Sequence, residues 1–131
     1  MIYVLDTNTC VHYLRGKRAV LDQISVIGWS NLYISEITII ELFYGLERGG
    51  RPEKEDALLR LLAKLQIIPI RVTYRLFATE KAKLAISGTL IEDFDLLIAC
   101  AALHKNAVVV TSNTKHFNRI TDLTLEDWYA P

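Results

Sequence analysis

The sequence has few of the residues that build structural metal sites or covalent cross-links. Of its 131 residues, 2 are cysteine and 3 are histidine. Cys10 and Cys100 lie far apart in apolar segments, and neither belongs to a Cys-x-x-Cys pair or a Cys/His cluster. We therefore predict no zinc site and expect two buried free thiols, as in proteins of the reducing cytosol. His12 is expected to be structural, because nothing near it forms a metal-binding or nucleophile motif.

Long hydrophobic runs and an excess of charge of either sign are also absent. The longest uninterrupted apolar run, Leu96 to Leu103, is far shorter than the roughly 20 residues that span a bilayer. No basic segment precedes Asp6, which argues against a signal peptide, and we expect a soluble cytoplasmic protein with no membrane segment. Lys plus Arg and Asp plus Glu number 15 each, so nucleic acid would have to be bound by a local basic rim.

The rest of the composition is that of a globular protein. Hydrophobic residues make up 51% and charged residues 23% of the chain, and no linker or repeat interrupts it. We predict a single domain over residues 1–131. Strand and helix patterns alternate from end to end, which predicts an α/β fold with a mainly parallel sheet and helices on both faces.

The predicted elements follow from apolar periodicity, caps and breakers. Strands are expected at Ile2–Leu5, Leu32–Ile34, Ile67–Ile70, Ala107–Thr111 and Leu123–Leu125. Helices are expected at Thr9–Leu14, Lys17–Ile27, Ser35–Glu47, Pro52–Leu65, Thr73–Ser87 and Phe94–His104, the last capped by Asp93. Pro69 should make the third strand an edge strand or shorten it, because proline cannot donate to a ladder.

Three acidic residues lie in segments that should be largely buried. They are Asp6 after Ile-Tyr-Val-Leu, Glu41 within an apolar helix, and Asp95 at the start of an apolar helix. An unpaired buried carboxylate is costly, so such groups are paired, protonated or bound to a metal. Asp6 and Asp95 should lie at the carboxyl edge of the sheet, where α/β proteins bind ligands. Glu41 should share an inward face with Ile37 and Tyr44.

Converging carboxylates with no histidine or cysteine among them suit Mg²⁺ or Mn²⁺. Such a metal supports phosphodiester hydrolysis by activating a bound water. Thr111 and Asn113 follow a predicted strand that ends at the same edge and could orient the acids. Each residue also has a structural interpretation: Asp6 as a helix N-cap, Asp95 as a partner of the helix dipole, Glu41 in an ion pair, and Thr111 to Asn113 as an ordinary turn. Asp93 fits a cap better than a metal ligand.

The chain resembles the PIN-domain family and, within it, the VapC-type toxins of bacterial toxin–antitoxin pairs. The resemblance covers almost the whole chain and depends on several segments in order. They are Val4 to Asn8, Ser35 to Gly45, Phe94 to Ala102, Val110 to Phe117 and Leu125 to Trp128.

The resemblance implies a three-layer α/β/α sandwich and metal-dependent endonucleolytic cleavage of RNA, with Mg²⁺ or Mn²⁺ as cofactor. It implies that the principal acids fall on Asp6, Glu41 and Asp95. A fourth site position, often Asp in the family, is Asn113 here, so a second metal would be held more weakly. It also implies a small antitoxin partner and a homodimer.

As a mechanism we expect Asp6 and Asp95 to bind one metal directly, and Glu41 to complete the shell or position the attacking water. Thr111 and Asn113 would supply supporting hydrogen bonds. RNA would be held by local positive charge. The candidates are Arg15, Lys17, Arg18, Arg48, Arg51, Lys115, His116 and Arg119.

Three other functions remain open from the sequence. One is a phosphatase of the haloacid-dehalogenase type, which needs a second acid where Asn8 stands. Another is a catalytically silent PIN-like module that binds RNA or a protein partner. The third is a DNA-cleaving enzyme of related fold, although no extended basic surface for duplex DNA is visible in the sequence.

Overall fold

The computed structural model describes residues 1–129 and contains a five-stranded sheet of order β3-β2-β1-β4-β5. The strands are β1 Tyr3–Leu5, β2 Leu32–Ser35, β3 Gln66–Ile68, β4 Val108–Val110 and β5 Leu125–Glu126. All four strand pairs are parallel, as the alternation of strands and helices predicts.

Seven helices connect and cover the strands in the described part of the chain. They are α1 Thr7–Leu14, α2 Arg18–Ile27, α3 Glu36–Gly49, α4 Glu55–Lys64, α5 Tyr74–Ile86, α6 Asp93–Lys105 and α7 Thr114–Phe117. Short 3₁₀ turns precede β2, α4 and α5 at Trp29–Asn31, Pro52–Lys54 and Ile70–Thr73. No helix in residues 1–129 has the length and apolar character needed to cross a membrane.

Two hydrophobic cores lie on opposite faces of the sheet, because successive side chains of a strand point to opposite faces. Val4 belongs to one core, which helices α5, α6 and α7 cover, and Leu5 belongs to the other, which α1, α2 and α4 cover. Helix α3 contributes Ile37 to the first core and Leu42 to the second. The predicted three-layer α/β/α sandwich is therefore confirmed.

The two cysteines lie in these opposite cores, Cys10 in the second and Cys100 in the first. Both are buried free thiols, as predicted. Burial raises the pKa of the Cys100 thiol to about 12 and raises that of Cys10 further. Neither thiol is ionised near neutral pH, which makes both poor nucleophiles.

Several predicted boundaries are displaced, and one predicted cap is wrong. Helix α6 begins at Asp93 itself and Glu92 is its N-cap, so Asp93 is not the cap; its carboxylate pairs with Lys81 at 2.9 Å. The third strand ends before Pro69 and lies at the edge of the sheet, where a proline is tolerated. The last strand begins at Leu125, two residues later than predicted.

Parallel register brings several chain turns to one edge of the sheet. Strand β1 lies between β2 and β4, with Leu5 opposite Val110, and the amide of Asp6 extends the ladder by donating to the Val110 carbonyl at 3.0 Å. The residues that follow β1, β2 and β4 therefore lie side by side at the carboxyl edge, where open α/β sheets bind ligands.

Candidate active site

A cleft of about 150 Å³ opens at the carboxyl edge of the sheet. Its lining residues, here called the carboxylate cleft, are Asp6, Thr7, Asn8, Glu41, Asp95, Ile98 and Asn113. Four of the five site residues predicted from the sequence are among them. The fold brings these side chains together from α1, α3, α6 and the turn after β4. In the sequence they are spread from residue 6 to residue 113.

Asp6 is both the N-cap of α1 and part of the carboxylate cleft. One carboxylate oxygen accepts a hydrogen bond from the Thr9 amide at 2.8 Å, which satisfies a free N–H of the first helical turn. The side chain is buried, and burial raises the pKa of its carboxyl while hydrogen bonds from Thr111 and Thr9 oppose the rise. The structural and functional interpretations of Asp6 are compatible, because capping uses one oxygen and leaves the other.

Glu41 reaches the carboxylate cleft from the middle of α3. The Thr7 hydroxyl donates a hydrogen bond to its Oε1 atom, and Thr38 Oγ1 lies 3.4 Å from the same hydroxyl. In residues 1–129 the ion pairs are Lys81–Asp93 and Lys83–Glu80, so the alternative of Glu41 in a buried ion pair is not realised there. The predicted inward face is wrong for Tyr44, which is 63% exposed.

Asp95 lies in the first turn of α6, where the helix dipole favours negative charge. Burial raises the pKa of its carboxyl, and the negative charges of Glu41 and Asp6 raise it further, while His116 lowers it. The charges of Glu41 and Asp6 therefore act on Asp95 across the cleft.

The turn after β4 supplies uncharged polar groups. Asn113 lines the carboxylate cleft, and its side-chain amide lies 2.9 Å from Nδ1 of His116. Thr111 is completely buried behind the cleft. Its hydroxyl accepts a hydrogen bond from the backbone amide of Asn113 at 2.9 Å and also bonds to the carboxylate of Asp6. Thr111 therefore orients other groups and is placed out of reach of a ligand in the cleft.

The donor set of the cleft fits a hard divalent cation. Carboxylate and amide oxygens are the ligands that Mg²⁺ and Mn²⁺ prefer, and a cation would remove the repulsion that raises the pKa of Asp95. Within residues 1–129, no three His, Cys, Asp or Glu side chains stand close enough to ligate one ion directly. Mg²⁺ does not need such a cluster, because it usually keeps several waters and takes one or two carboxylates.

The structure gives the basic candidates different environments. His116 bonds to Asn113, whereas Arg119 donates to the Leu90 carbonyl at 2.8 Å. Arg15 lines a second hollow of about 340 Å³ between α1, α3 and α4, which Glu41 also borders. Lys17 lies over the ring of Tyr129. Arg18, Arg48, Arg51 and Lys115 are exposed.

Sequence reasoning missed Thr7, the residue that holds Glu41. Its signal was its place directly after Asp6, at the first position of α1, but the partner on α3 is 34 residues away. It also missed the stacking of His12 against Tyr129, whose rings are 3.8 Å apart. Such pairings depend on how the helices pack and leave no local pattern.

Known proteins match this chain over nearly its full length. It is 32% identical over 128 residues to the tRNA(fMet)-specific endonuclease VapC of Salmonella typhimurium, covering 96% of this chain and 97% of the relative. It is 35% identical over 132 residues to Ribonuclease VapC2 of Rickettsia felis, covering 98% of each.

The fold has the same relatives. A crystal structure of VapBC2 from Rickettsia felis, bound to a DNA fragment from their promoter, superposes with a TM-score of 0.88 at 32% identity. The superposition covers 98% of this chain and 99% of that one. The family model described as PIN domain matches residues 3–123. With this match and these identities, the chain belongs to the PIN domain family.

Proposed function

We propose that this protein is a divalent-metal-dependent endoribonuclease and the toxin of a toxin–antitoxin pair. The observation that carries the proposal is the carboxylate cleft, which Asp6, Glu41 and Asp95 line together at the carboxyl edge of a PIN-domain sheet. The relatives named VapC are called ribonucleases or endonucleases. Hydrolysis of RNA phosphodiesters is the reaction that suits both the family and the cleft.

We propose that Asp6 and Asp95 bind the metal directly, that Glu41 completes its shell or positions the attacking water, and that the metal is Mg²⁺ or Mn²⁺ because the donors are oxygens. When bound, such a metal lowers the pKa of a coordinated water and stabilises charge on the phosphate. The Thr9 amide and Thr111 hold the Asp6 carboxylate in place, and Asp6 contributes its other oxygen. Asp95 contributes an oxygen from the first turn of α6.

Glu41 is the candidate for proton transfer in this proposal. The hydrogen bond from Thr7 fixes its Oε1 atom and leaves Oε2 to accept a proton from the attacking water. A general base must lie within hydrogen-bonding reach of the proton that it accepts, and Glu41 lines the carboxylate cleft, where the attacking water would bind. Asn113 carries no charge, so the site has three acids where many family members have four.

The proposed partners are RNA, a small antitoxin and a second copy of the chain. The antitoxin and the dimer follow from the resemblance to VapC-type toxins, and a solved VapBC2 complex has the same fold. One relative is named for tRNA(fMet), which makes the initiator tRNA the first substrate to test. The cytoplasm is the proposed location, and free thiols are the usual state of cysteine there.

The experiment compares the purified protein with Asp95→Asn and Asp93→Asn on initiator tRNA and on total bacterial RNA. Asp93 is a matched control, because it lies on the same helix but is exposed and pairs with Lys81. We expect cleavage with Mg²⁺ or Mn²⁺, no cleavage with EDTA, no cleavage by Asp95→Asn and normal cleavage by Asp93→Asn.

Full activity of Asp95→Asn, or full activity in EDTA, would contradict the assigned site. A wild-type protein that cuts none of these RNAs, even after verified removal of any bound antitoxin, would contradict the proposed ribonuclease and favour a catalytically silent module. RNA binding without cleavage would then be the measurement that supports the module.

A further inference from the structure

His116 is held beside the carboxylate cleft in a defined orientation. It lies in α7, a single turn whose amides at His116 and Phe117 both donate to the Asn113 carbonyl, at 3.3 and 3.4 Å. Phe117 anchors the turn, since its side chain is 1% exposed within the core of α5, α6 and α7. The backbone that carries the imidazole is therefore fixed against the sheet.

The hydrogen bond from Asn113 determines which ring nitrogen carries the proton. The Nδ2 atom of Asn113 lies 2.9 Å from Nδ1 of His116, and an amide NH₂ group can only donate. Nδ1 must then accept with its lone pair. In the neutral ring the proton is consequently on Nε2, which makes Nε2–H a hydrogen-bond donor pointing away from Asn113.

Apart from Asn8, the side chains that line the carboxylate cleft offer an anionic substrate few hydrogen-bond donors. Its acids, Asp6, Glu41 and Asp95, are acceptors when ionised. The Thr7 hydroxyl is engaged with Glu41 and the Asn113 amide with His116. The ring of His116 lies beside these groups, because it contacts the side chain of Asn113, which lines the cleft.

We propose that His116 is a catalytic residue whose Nε2–H donates a hydrogen bond to a non-bridging oxygen of the scissile phosphate, with Asn113 as its positioning residue. This inference rests on the proposed ribonuclease function and names a further group of the same site. Donors aimed at oxygens that gain charge in the transition state raise the rate of phosphoryl transfer. The neutral ring adds such a donor without competing with a metal for the carboxylates.

Two substitutions of His116 distinguish the role of Nδ1 as an acceptor from the role of Nε2–H as a donor. In His116→Asn the side-chain oxygen can stand in for Nδ1 and keep the bond from Asn113, but nothing replaces Nε2–H. In His116→Gln the longer side chain places an N–H group near the Nε2 position. His104→Gln is the matched control, because His104 is exposed near the end of α6.

We expect His116→Asn to lower kcat roughly a hundredfold with a smaller change in KM, as for loss of a transition-state donor. His116→Gln should recover most of kcat and His104→Gln should match the wild type, on the same pool of total bacterial RNA with Mn²⁺. Circular dichroism and Tm establish that each variant is folded.

A measurement on the protein without metal or RNA tests the orientation of His116 independently. Ring-nitrogen NMR shifts distinguish protonated from unprotonated nitrogen, and the signals of His116 are those missing in His116→Gln. We expect a proton on Nε2 and none on Nδ1 in the wild type, and loss of this single state in Asn113→Ala.

A proton found on Nδ1 would overturn the inference, and so would a wild-type kcat for His116→Asn. Equal losses in the folded Asn and Gln variants would also overturn it, because the effect would not follow the donor. A wild-type protein that cleaves no RNA would instead contradict the proposed function, on which the inference rests.

Discussion

The Thr7 hydroxyl donates a hydrogen bond to the carboxylate of Glu41, and this bond joins the start of α1 to the middle of α3. Thr7 follows Asp6, so two adjacent residues supply one carboxylate to the cleft and orient a second. The geometry of Glu41 therefore depends on a neighbour that carries no charge.

Replacing Thr7 by Val should lower activity while the fold remains intact, because Val keeps the shape but cannot donate to Glu41. Substitutions of groups that orient site carboxylates typically cost 10- to 100-fold, and we expect about that loss in kcat. Steady-state kinetics with RNA is the measurement. Thr7→Ser keeps the hydroxyl and should retain most activity; equal defects in both variants would mean that the bond to Glu41 is unimportant.

The metal-free protein should become less stable as pH rises through the titration of Asp95. Burial and the charges of Glu41 and Asp6 raise the folded pKa of Asp95 above its ordinary value of 3.8. The folded state then binds the proton more tightly than the unfolded state, so the free energy of unfolding falls with pH between these two values. Above both the folded and the unfolded pKa of Asp95, the loss in the free energy of unfolding is complete.

Asp95→Asn removes this penalty and should raise the Tm of the metal-free protein at pH 7. The advantage over wild type should shrink as pH is lowered towards 3.8. Thermal unfolding in EDTA at several pH values measures it. Asp93→Asn serves as the control, since an exposed ion pair with Lys81 contributes little. A lower Tm for Asp95→Asn than for wild type at pH 7 would contradict the prediction.

Divalent metal should make the wild type more stable than Asp95→Asn, the reverse of the order expected without metal. Mn²⁺ should bind the folded protein and not the unfolded chain, so it should raise the Tm of wild type in proportion to the logarithm of its concentration. Asp95→Asn removes a charged ligand and should bind Mn²⁺ at least about tenfold more weakly. Titration calorimetry would give both affinities, and equal affinities would exclude Asp95 from the metal site.

Helix α4 should depend on its buried face. Leu61 is 1% exposed in the second core, whereas Leu59 on the same helix is 45% exposed. Leu61→Ala should lower the free energy of unfolding by about 2–5 kcal/mol, through lost burial and the cavity left behind. Urea unfolding would measure this, with Leu59→Ala, expected to change stability by less than about 1 kcal/mol, as the control.

The single-domain organisation of residues 1–131 stays a prediction that unfolding can test. One domain should melt in one cooperative transition, with equal calorimetric and van't Hoff enthalpies. Leu61→Ala should shift that whole transition, including signals from the opposite core. A second transition, left unmoved by the substitution, would indicate two independent units.

The sequence alone predicted the layers of the fold, because they depend on local patterns. Buried strands such as Val108–Val110 are β-branched throughout, and helices such as α4 repeat apolar residues at helical spacing. Local chemistry was less reliable at element ends. Asp93 has the side chain of an N-cap, yet it is the first residue of α6, and its carboxylate pairs with Lys81 on α5.

The orientation of single side chains was also beyond the sequence. Glu41 faces the carboxylate cleft as predicted, but Tyr44 on the next turn is exposed, because α3 lies across both cores and turns only part of its surface inward. The short helix at Thr114–Phe117 was not predicted, since four residues give too little periodicity.

The sequence by itself determined which residues are candidates for the chemistry. Burying an unpaired carboxylate costs free energy, so an acid that interrupts an apolar segment needs a partner. Asp6, Glu41 and Asp95 are recognisable in the sequence for this reason. Only the tertiary structure decided how these acids are held. The bonds from Thr7 to Glu41 and from Asn113 to His116 depend on distances set by strand register and helix packing. Burial pattern is a property of local sequence, whereas the direction of a hydrogen bond is a property of the assembled fold.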